Sequence, residues 1–361
     1  MLQTRVNEGL DGVVVADTAM SMVDGEEGRL VIRGFELPEL VSRFGFEGAA
    51  ALLWDGLLPE ARDKAMVLAG LGRARVHAFR LVPGLLAVAG TLDPVEALRA
   101  GIALLSESEA MPHHILVCGA MPVFLAAALR HKRGLLPIAP DPALNTAQDL
   151  LRMMRGERAA PDFEAALDAY LTTVIDHGFN ASTFTSRVIA STRAGTLWGV
   201  LGALCALRGP LHGGAPGPII DMLDEIGTLD NIDRWLDREL EAGTRLMGFG
   251  HRIYKVRDPR ADILKAVVAG LPQTAGRLAF AGAVEKRILD LLAERKPGQR
   301  LHTNVEFYTA LLLEALSMPR DSFTALFAVS RAAGWCAHIA EQEKGGRIIR
   351  PQSNYVGPMP T

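Results

Sequence analysis

Apolar positions recur at helical spacing over most of the chain, and only its N-terminal part has the pattern of strands. There, the β-branched runs Val13–Val15 and Arg29–Ile32 are separated by the polar turn Asp24–Gly28, which predicts a small hairpin. Beyond it, apolar residues are spaced as on one face of a helix, and the last long helices are expected over Ala261–Leu292 and Ser322–Glu343. The pattern predicts an all-α protein with a short N-terminal β-hairpin.

One apolar segment is long enough to cross a membrane. The stretch Ala110–Leu129 contains no Asp, Glu, Lys or Arg, and about 20 such residues span a bilayer. However, it also contains Pro112, Pro122, two histidines and many small residues. These features favour a buried helix inside a helical core.

Composition and charge point to a protein that acts on small molecules. The chain has 361 residues and a net charge of -3, and its basic residues are dispersed, which argues against nucleic acid or an anionic membrane as the main partner. The three cysteines, Cys118, Cys205 and Cys336, are far apart with no CxxC spacing, so neither a disulfide framework nor a zinc knuckle is expected. No apolar signal core precedes the hairpin, which predicts a cytoplasmic protein.

The most informative chemistry lies in the stretch Met247–Arg260. Gly248 and Gly250 flank Phe249 and precede His251, so the backbone there can approach a ligand closely. Arg260 follows a proline-fixed bend. An imidazole donor and a bidentate guanidinium on one short segment suit a small carboxylate substrate with a carbonyl group to polarise. A turn with a structural histidine and a surface arginine is the alternative.

Two further segments place polar side chains in apolar surroundings. Asp176, His177, Asn180 and Ser182 interrupt an apolar run, and they form either a buried hydrogen-bonded network or a ligand site. His212 lies in a turn dense in glycine and proline before a helical pattern. A helix N-terminus disfavours the charged imidazolium, and a neutral histidine can donate a hydrogen bond to a developing oxyanion.

Glu306 and Arg331 are the charged candidates in the C-terminal part. Glu306 opens a helical run among Val, Phe and Tyr, where a carboxylate is either a catalytic base or a partner of the helix dipole. Arg331 is the only charge over residues 323–337, so it needs an acidic side chain or a ligand carboxylate as its partner. His338 and Glu341 have a spacing that could bind metal, but structural hydrogen bonding is favoured and no metal site is predicted. Pro351 makes Arg350 extended, as in a tail that lies on another surface.

Together these stretches resemble the citrate synthase family from residues 9–12 to residues 355–357. The most specific piece is Gly248–Arg260, Gly-Phe-Gly-His-Arg-Ile-Tyr-Lys-Val-Arg-Asp-Pro-Arg, which is similar to the family signature. Five more matches occur in the family's order: Asp176-His177 with Asn180 and Ser182, Gly209-Pro-Leu-His-Gly-Gly214, Asn304-Val-Glu-Phe-Tyr308, Ser330-Arg-Ala-Ala-Gly334, and Arg350-Pro351.

The resemblance implies an almost all-helical homodimer whose two domains close over the substrates. Residues 1–213 and 321–361 would form the large, dimer-forming domain, and residues 214–320 the small one. The short N-terminus lacks the additional β-region of the larger hexameric bacterial type, which favours a dimer without that type's nucleotide control. A role in the tricarboxylic acid cycle, with no cofactor beyond the acyl-CoA substrate, is implied.

The resemblance also assigns roles to individual residues. The substrates would be oxaloacetate and acetyl-CoA, with citryl-CoA formed and then hydrolysed to citrate and CoA. His251 would polarise the oxaloacetate carbonyl, His212 would bond the thioester oxygen, and Glu306 would remove the methyl proton. The remaining assignments are oxaloacetate binding by His177, Arg260, Arg331 and the partner subunit's Arg350, and CoA binding by Gly248, Phe249, Gly250, Lys255 and Asn304.

One position departs from the commonest family pattern, which has Asp where this chain has Glu306. A change in reach of about 1 Å can cost on the order of 10²-fold in rate. The first alternative is 2-methylcitrate synthase, which uses propionyl-CoA with the same catalytic set; cleavage of citryl-CoA is a weaker relative of that idea. From a different class, a non-catalytic paralogue that binds oxaloacetate or CoA is the other alternative.

Overall fold

In a computed structural model, the chain folds into sixteen described α-helices and one small sheet. The structure describes residues 7–10, 12–89, 92–213, 217–244, 246–250, 253–295 and 301–360. The helices are α1 (Leu37–Arg43), α2 (Gly45–Trp54), α3 (Lys64–Phe79), α4 (Val82–Ala89), α5 (Pro94–Ala103), α6 (His113–Lys132), α7 (Thr146–Arg155), α8 (Pro161–Thr173), α9 (Ala181–Ser191), α10 (Thr196–Leu207), α11 (Gly217–Ile226), α12 (Ile232–Glu241), α13 (Pro259–Ala269), α14 (Ala275–Arg295), α15 (Val305–Ala315) and α16 (Phe323–Gly345). The predicted all-α class is confirmed.

The sheet contains the predicted strand Arg29–Ile32 and the predicted turn before it, but its first strand is Ser21–Asp24 and a third short strand is added. Strands β1 (Ser21–Asp24), β2 (Arg29–Ile32) and β3 (Phe35–Glu36) are antiparallel in sequence order, with Ser21 opposite Ile32 and Asp24 opposite Arg29. The expectation of a strand at Val13–Val15 was wrong, because this segment has no strand partner in the described chain and the Val14 side chain is 86% exposed. β-branched residues favour strands only where a neighbouring strand can pair with them.

Helix α6 lies at the centre of the core. It is the described helix that is long and apolar enough to cross a membrane, and 89% of its most apolar window is buried. Helices α3, α5, α7 and α16 pack around it. The prediction of a buried core helix is therefore confirmed, and the proline at its centre, Pro122, is accommodated within the helix.

The two helices after the stretch Met247–Arg260, called the organising stretch below, are shorter than the periodicity predicts. The expected helix over 261–292 is two helices, α13 and α14, separated at Gly270 and Pro272. Proline cannot continue a helix, because it lacks the N–H donor and clashes with the preceding turn. Helix α16, by contrast, begins and ends within two residues of its predicted limits.

A buried ion pair joins α3 to α7. The Nε of Arg75 lies 2.8 Å from Oδ2 of Asp149, and both side chains are fully buried. Asp149 also accepts a hydrogen bond from the backbone N–H of Asp141, at 3.0 Å. Burial lowers the pKa of Arg75, and the charge of Asp149 opposes that change. Asp149 is therefore the main partner that compensates the burial of the Arg75 charge.

Replacing Asp149 with alanine is expected to lower the free energy of unfolding by about 3–5 kcal/mol, because Arg75 would remain buried without its main partner. Urea denaturation followed by circular dichroism measures the change. Glu60→Ala is the matched control, since it removes an ion pair with Arg73 in which both side chains are at least 40% exposed. Exposed pairs contribute little, so equal losses in the two variants would contradict this prediction.

Candidate active site

Most of the residues singled out from the sequence surround one cavity of about 570 Å³. The cavity is lined by the segment after α8, the turn after α10, the starts of α13 and α15, one face of α16, and the N-terminal residues Gly9 to Val15. The predicted site residues that line it are His177, His212, Gly250, Arg260, Asn304, Glu306 and Arg331. Residues separated by up to 154 positions in the chain are thus brought to one place. His251 lies outside the described residues.

Three helices begin at or beside this cavity. Asn180, Asp258 and Asn304 cap α9, α13 and α15, and each side chain accepts a hydrogen bond from a backbone N–H in the first turn. A helix N-terminus carries a partial positive charge. Its polar caps and the nearby guanidinium groups make this cavity suited to an anionic ligand.

A hydrogen-bonded network orients His212. Its Nε2 lies 3.3 Å from the backbone N of Ser182 and 2.8 Å from the Ser182 hydroxyl oxygen. The indole N–H of Trp335 donates to the same hydroxyl, at 3.2 Å. The Ser182 hydroxyl also lies 2.7 Å from Oδ1 of Asn180, so its single proton has two acceptors within reach. A backbone N–H can only donate, and from that contact we infer that Nε2 of His212 accepts and that the ring proton resides on Nδ1. This inference gives His212 a neutral tautomer with one N–H to donate.

The surroundings of His212 keep it neutral. Burial lowers the pKa of His212 to about 4, and the nearby positive charge of Arg331 lowers it further in the same direction. Because the folded state disfavours protonation, the unfolded chain takes up the proton first. The stabilising contribution of the neutral ring is complete above the ordinary pKa of 6.5 and is lost as the pH falls through about 4.

We expect the His212 imidazole to show no titration between pH 5.5 and 8 and to be protonated at Nδ1 alone. Nitrogen-15 NMR of histidine-labelled protein measures both properties, with His212→Asn used to assign the signal. The exposed His131 provides an internal control, because it lies outside the cavity. A His212 signal that titrates near pH 6.5, or a proton on Nε2, would contradict the assigned tautomer.

Arg331 is buried in the wall of the cavity with incomplete hydrogen bonding. Its side chain is 1% exposed, its Nε donates to the carbonyl of Val174 at 2.8 Å, and its guanidinium stacks 4.6 Å from the centre of the Phe327 ring. Within the described residues, its Nη2 has no hydrogen-bond partner. Burial lowers the pKa of Arg331 to about 10, although Asp176 opposes this. A buried guanidinium with an unused donor is prepared for a ligand anion.

Arg260 is held more completely. Its Nε and Nη2 lie 3.0 and 2.7 Å from the two carboxylate oxygens of Asp258, and the side chain is 4% exposed. Burial lowers the pKa of Arg260, but Asp258 outweighs this and the net shift is upward. Asp258 also accepts from the backbone N–H of Val305, at 3.2 Å. One carboxylate therefore fixes Arg260 relative to the start of α15, which carries Glu306.

The two glycines of the organising stretch pair with the segment before α15. The N–H of Gly250 donates to the carbonyl of His302 at 2.8 Å, and the N–H of Asn304 donates to the carbonyl of Gly248 at 3.0 Å. Both glycines have a positive φ, 86° and 83°, a conformation that costs other residues energy. Phe249 between them is buried against Phe307. Of the three residues, Gly250 lines the cavity, while Gly248 and Phe249 support it.

His177 contacts a residue that sequence reasoning missed. Its Nε2 lies 3.1 Å from the hydroxyl oxygen of Tyr254, and the two rings meet edge to face with their centres 5.5 Å apart. Tyr254 and Asp258 both lie inside the organising stretch, but neither was assigned a role from the sequence. Asp258 could have been identified from its position directly before Pro259, because an aspartate before a proline is typical of a helix N-cap.

Lys255 and Arg350 lie outside the cavity lining of this chain. Lys255 is exposed and forms an ion pair with Glu26, on the turn between β1 and β2. Arg350 is exposed in the segment after α16, where residues 346–356 form neither helix nor strand. Neither position tests the roles predicted for these residues, because one would act on a bound CoA and the other in a partner subunit.

His338 and Glu341 act as structural residues. The Nε2 of His338 lies 3.2 Å from Asp176, and its Nδ1 lies 3.2 Å from Nη1 of Arg187. Glu341 forms an ion pair with Arg187 at 2.6 Å and accepts from the N–H of Ala19 at 2.8 Å. The preferred interpretation, structural hydrogen bonding, is confirmed. Among the described residues, no group of three or more His, Cys, Asp or Glu side chains could hold a metal ion.

Comparison with known proteins places the chain in a family. The family described as citrate synthase, C-terminal domain, matches residues 9–352. The chain belongs to the citrate synthase family. A citrate synthase from Acidithiobacillus ferridurans is 35% identical to it, and the match covers 99% of this chain and 97% of that protein.

Two solved structures agree with this membership. The citrate synthase from Thermotoga maritima superposes with a TM-score of 0.88 at 33% identity, covering 99% of this chain and 97% of the other. The citrate synthase from Thermoplasma acidophilum, solved in a ternary complex with carboxymethyl coenzyme A and oxaloacetate, has a TM-score of 0.87 at 27% identity and the same coverage. The protein is thus an enzyme of the citrate synthase type, a transferase that catalyses a condensation of that type.

Replacing Arg331 with methionine is expected to weaken oxaloacetate binding by about 100-fold, because the buried donor that faces the cavity is lost. The melting temperature should not fall, since an apolar side chain replaces a buried charge with an unsatisfied donor. Isothermal titration and thermal unfolding measure the two effects.

Arg155→Met is a matched control for this variant. Arg155 also bonds a backbone carbonyl, that of Leu316, and stacks 4.8 Å from an aromatic ring, that of Phe163, but it lies outside the cavity lining. Unchanged oxaloacetate affinity in Arg331→Met would contradict the assigned role, as would an equal loss in Arg155→Met.

Proposed function

We propose that this protein condenses acetyl-CoA with oxaloacetate and hydrolyses the resulting citryl-CoA to citrate and CoA. The observation that supports this most directly is the shared cavity, in which a neutral hydrogen-bond donor, a carboxylate and a buried guanidinium with an unused donor lie together: His212, Glu306 and Arg331. Enzymes of this family take acetyl-CoA as a substrate and need no further cofactor. The proposed reaction is consistent with both facts.

The chemistry follows from the charge states of these groups. Glu306 removes a proton from the thioester methyl group, while the Nδ1–H of His212 donates to the thioester oxygen on which negative charge develops. A carboxylate with an ordinary pKa of about 4.3 is too weak to do this unaided. The cavity must therefore stabilise the oxyanion as it forms, and a preorganised donor in a site that excludes water does so effectively.

The oxaloacetate carboxylates are bound by arginines in this proposal. Arg331 supplies its unused Nη2 donor, and Arg260, already bonded to Asp258, adds positive charge beside Glu306. His177 completes the set from the opposite segment, and His251 polarises the carbonyl that the enol attacks. Water then cleaves the thioester of citryl-CoA.

Several further properties belong to the same proposal. Residues 214–320 form a small domain that closes over the substrates, and residues 1–213 with 321–361 form the large domain of a homodimer. The partner subunit's Arg350 completes the oxaloacetate site, and Gly248, Phe249, Gly250, Lys255 and Asn304 bind CoA. In the tail after α16, the Ile348, Tyr355 and Val356 side chains are at least 62% exposed, which supports a contact between this tail and a partner subunit. A cytoplasmic enzyme of the tricarboxylic acid cycle is the corresponding cellular role.

Thiol release from acetyl-CoA and, separately, from propionyl-CoA tests the proposal, each with and without oxaloacetate. We expect oxaloacetate-dependent release, with acetyl-CoA preferred. A preference for propionyl-CoA would instead identify the protein as a 2-methylcitrate synthase. The two thioesters differ by one methylene, which typically changes kcat/KM by about 10- to 200-fold, so the preference is measurable. No release with either thioester, in a protein that still binds oxaloacetate, would indicate a binding paralogue.

Variants of Glu306 test its role as the base. Glu306→Gln should lower kcat by at least about 10²-fold, because a general base contributes that much, while oxaloacetate affinity changes little. Glu306→Asp measures the effect of reach at the position where the commonest family pattern has Asp. Substantial activity in Glu306→Gln would overturn the assignment of the base.

A further inference from the structure

The β1–β2 hairpin touches both of the segments whose side chains meet at His177. Its first residue, Ser21, bonds the segment after α8, and its turn, Asp24–Gly28, packs on residues 253–257. These two segments are 77 positions apart at their point of contact, the pair His177 and Tyr254. The hairpin itself contributes no lining residue to the cavity.

At one end, Ser21 fixes the backbone on both sides of His177. Its hydroxyl donates to Oδ2 of Asp176 and accepts from the backbone N–H of Gly178, at 2.9 Å. The same carboxylate oxygen lies 3.3 Å from the Gly178 N–H. His177 is therefore the middle residue of a turn closed by one serine and one aspartate.

The Asp176 carboxylate is fixed in turn by α16. It is fully buried and lies 3.2 Å from Nε2 of His338. His338 bonds Arg187, and Arg187 is paired with Glu341, which accepts the N–H of Ala19 just before β1. Ala19 and Ser21 are thus both connected to the hydrogen-bonded network that includes Asp176, the residue directly before His177.

At the other end, the turn of the hairpin packs closely against the backbone of residues 253–257. The carbonyl of Gly25 accepts from the N–H of Lys255 at 2.9 Å, and a Cβ added at Gly25 would overlap the carbonyl oxygen of Ile253. A Cβ at Gly28 would lie 2.8 Å from Cγ2 of Val256. Only glycine at these positions allows such a close approach of the two backbones. The pair Glu26 and Lys255 lies above this contact.

We propose that the β1–β2 hairpin is a positioning element that sets the placement of His177 relative to the segment 253–257. Ser21 holds the His177 turn, the glycine turn holds the segment that carries Tyr254, and the rigid antiparallel pairing between Ser21 and Ile32 keeps the two ends at a fixed separation. The inference rests on the proposed role of His177 in binding oxaloacetate. It adds that Ser21 and Gly25, which do not line the cavity, determine how well that site is formed.

Gly25→Ala tests the turn. The added methyl should push residues 253–257 away from the hairpin, so amide hydrogen exchange in the peptide containing Lys255 should accelerate, and oxaloacetate should bind about tenfold more weakly. Misplacement by about 1 Å can cost on the order of 10²-fold in rate. The matched control is Gly276→Ala, where an added Cβ meets nothing within 4 Å.

Ser21→Ala tests the other end. It should accelerate exchange in the peptide containing Gly178 and raise the KM for oxaloacetate more than it lowers kcat, because the acyl-CoA chemistry at His212 and Glu306 is not held by this hydroxyl. Ser21→Thr keeps the hydroxyl and should restore most of the affinity. The control is Ser42→Ala, whose exposed hydroxyl donates to the nearby Glu39 carbonyl.

The outcomes separate this inference from the proposed function. If the wild-type protein releases no thiol from either thioester, the proposed function fails, and the exchange and oxaloacetate-binding measurements still decide the role of the hairpin. Normal exchange in both peptides, together with oxaloacetate affinity within twofold of wild type in folded Gly25→Ala and Ser21→Ala, would overturn it. A melting temperature for each variant establishes that the protein compared is folded.

Discussion

The arrangement of the site depends on one buried carboxylate, that of Asp258. It caps α13, holds the guanidinium of Arg260 through both oxygens, and accepts the N–H of Val305 at the start of α15. A buried carboxylate is costly unless positive charge and hydrogen bonds surround it, and here Arg260 and the N–H of Val305 supply both. Because the buried Asp258 carboxylate needs these partners, it fixes the end of the organising stretch relative to the start of α15, the helix that carries Glu306.

The electrostatic potential of the cavity beside that carboxylate favours an anion, although one of the residues that could carry a positive charge, His212, is neutral. Three helix N-termini and two guanidinium groups favour an anion, while His212 is held neutral by burial and by Arg331. Had His212 been charged, it would have added a third cation to a site already rich in them. Instead the ring remains a weak donor of one hydrogen bond, which is suited to an oxygen that becomes negative only during the reaction. In the proposed reaction, the arginines would thus bind a permanent anion, and His212 would stabilise a transient one.

The parts of this site that sequence alone could predict are those with a local signal. The helices follow from apolar periodicity, and Arg331 stands out because a lone charge in an apolar helix demands a partner. His212 was predicted to be neutral because of its turn and the helix after it, whereas in the structure burial and the charge of Arg331 lower its pKa. What could not be predicted depends on contacts between distant segments. No sequence feature near Ser21 indicates its hydrogen bonds to residues 176 and 178. The need for glycine in the hairpin turn becomes clear only from the backbone of residues 253–257 that packs against it. The unpaired Val13–Val15 shows the converse, a strand-like sequence without a strand to join.

From Ser330 to Gln342, helix α16 forms hydrogen bonds at successive turns with the segment that runs from the end of α8 into α9. Ser330 and Arg331 bond the carbonyls of Leu171 and Val174, Trp335 bonds Ser182, His338 bonds Asp176, and Gln342 bonds Arg187. Since successive turns of a helix are about 5.4 Å apart, these bonds form a row that allows one axial register between the two segments. A change that slides or rotates α16 by a fraction of a turn would break several of them together. Amino-acid substitutions along this row should therefore be tolerated in compensating combinations more readily than one by one, which constrains how the family can diverge here without losing the site.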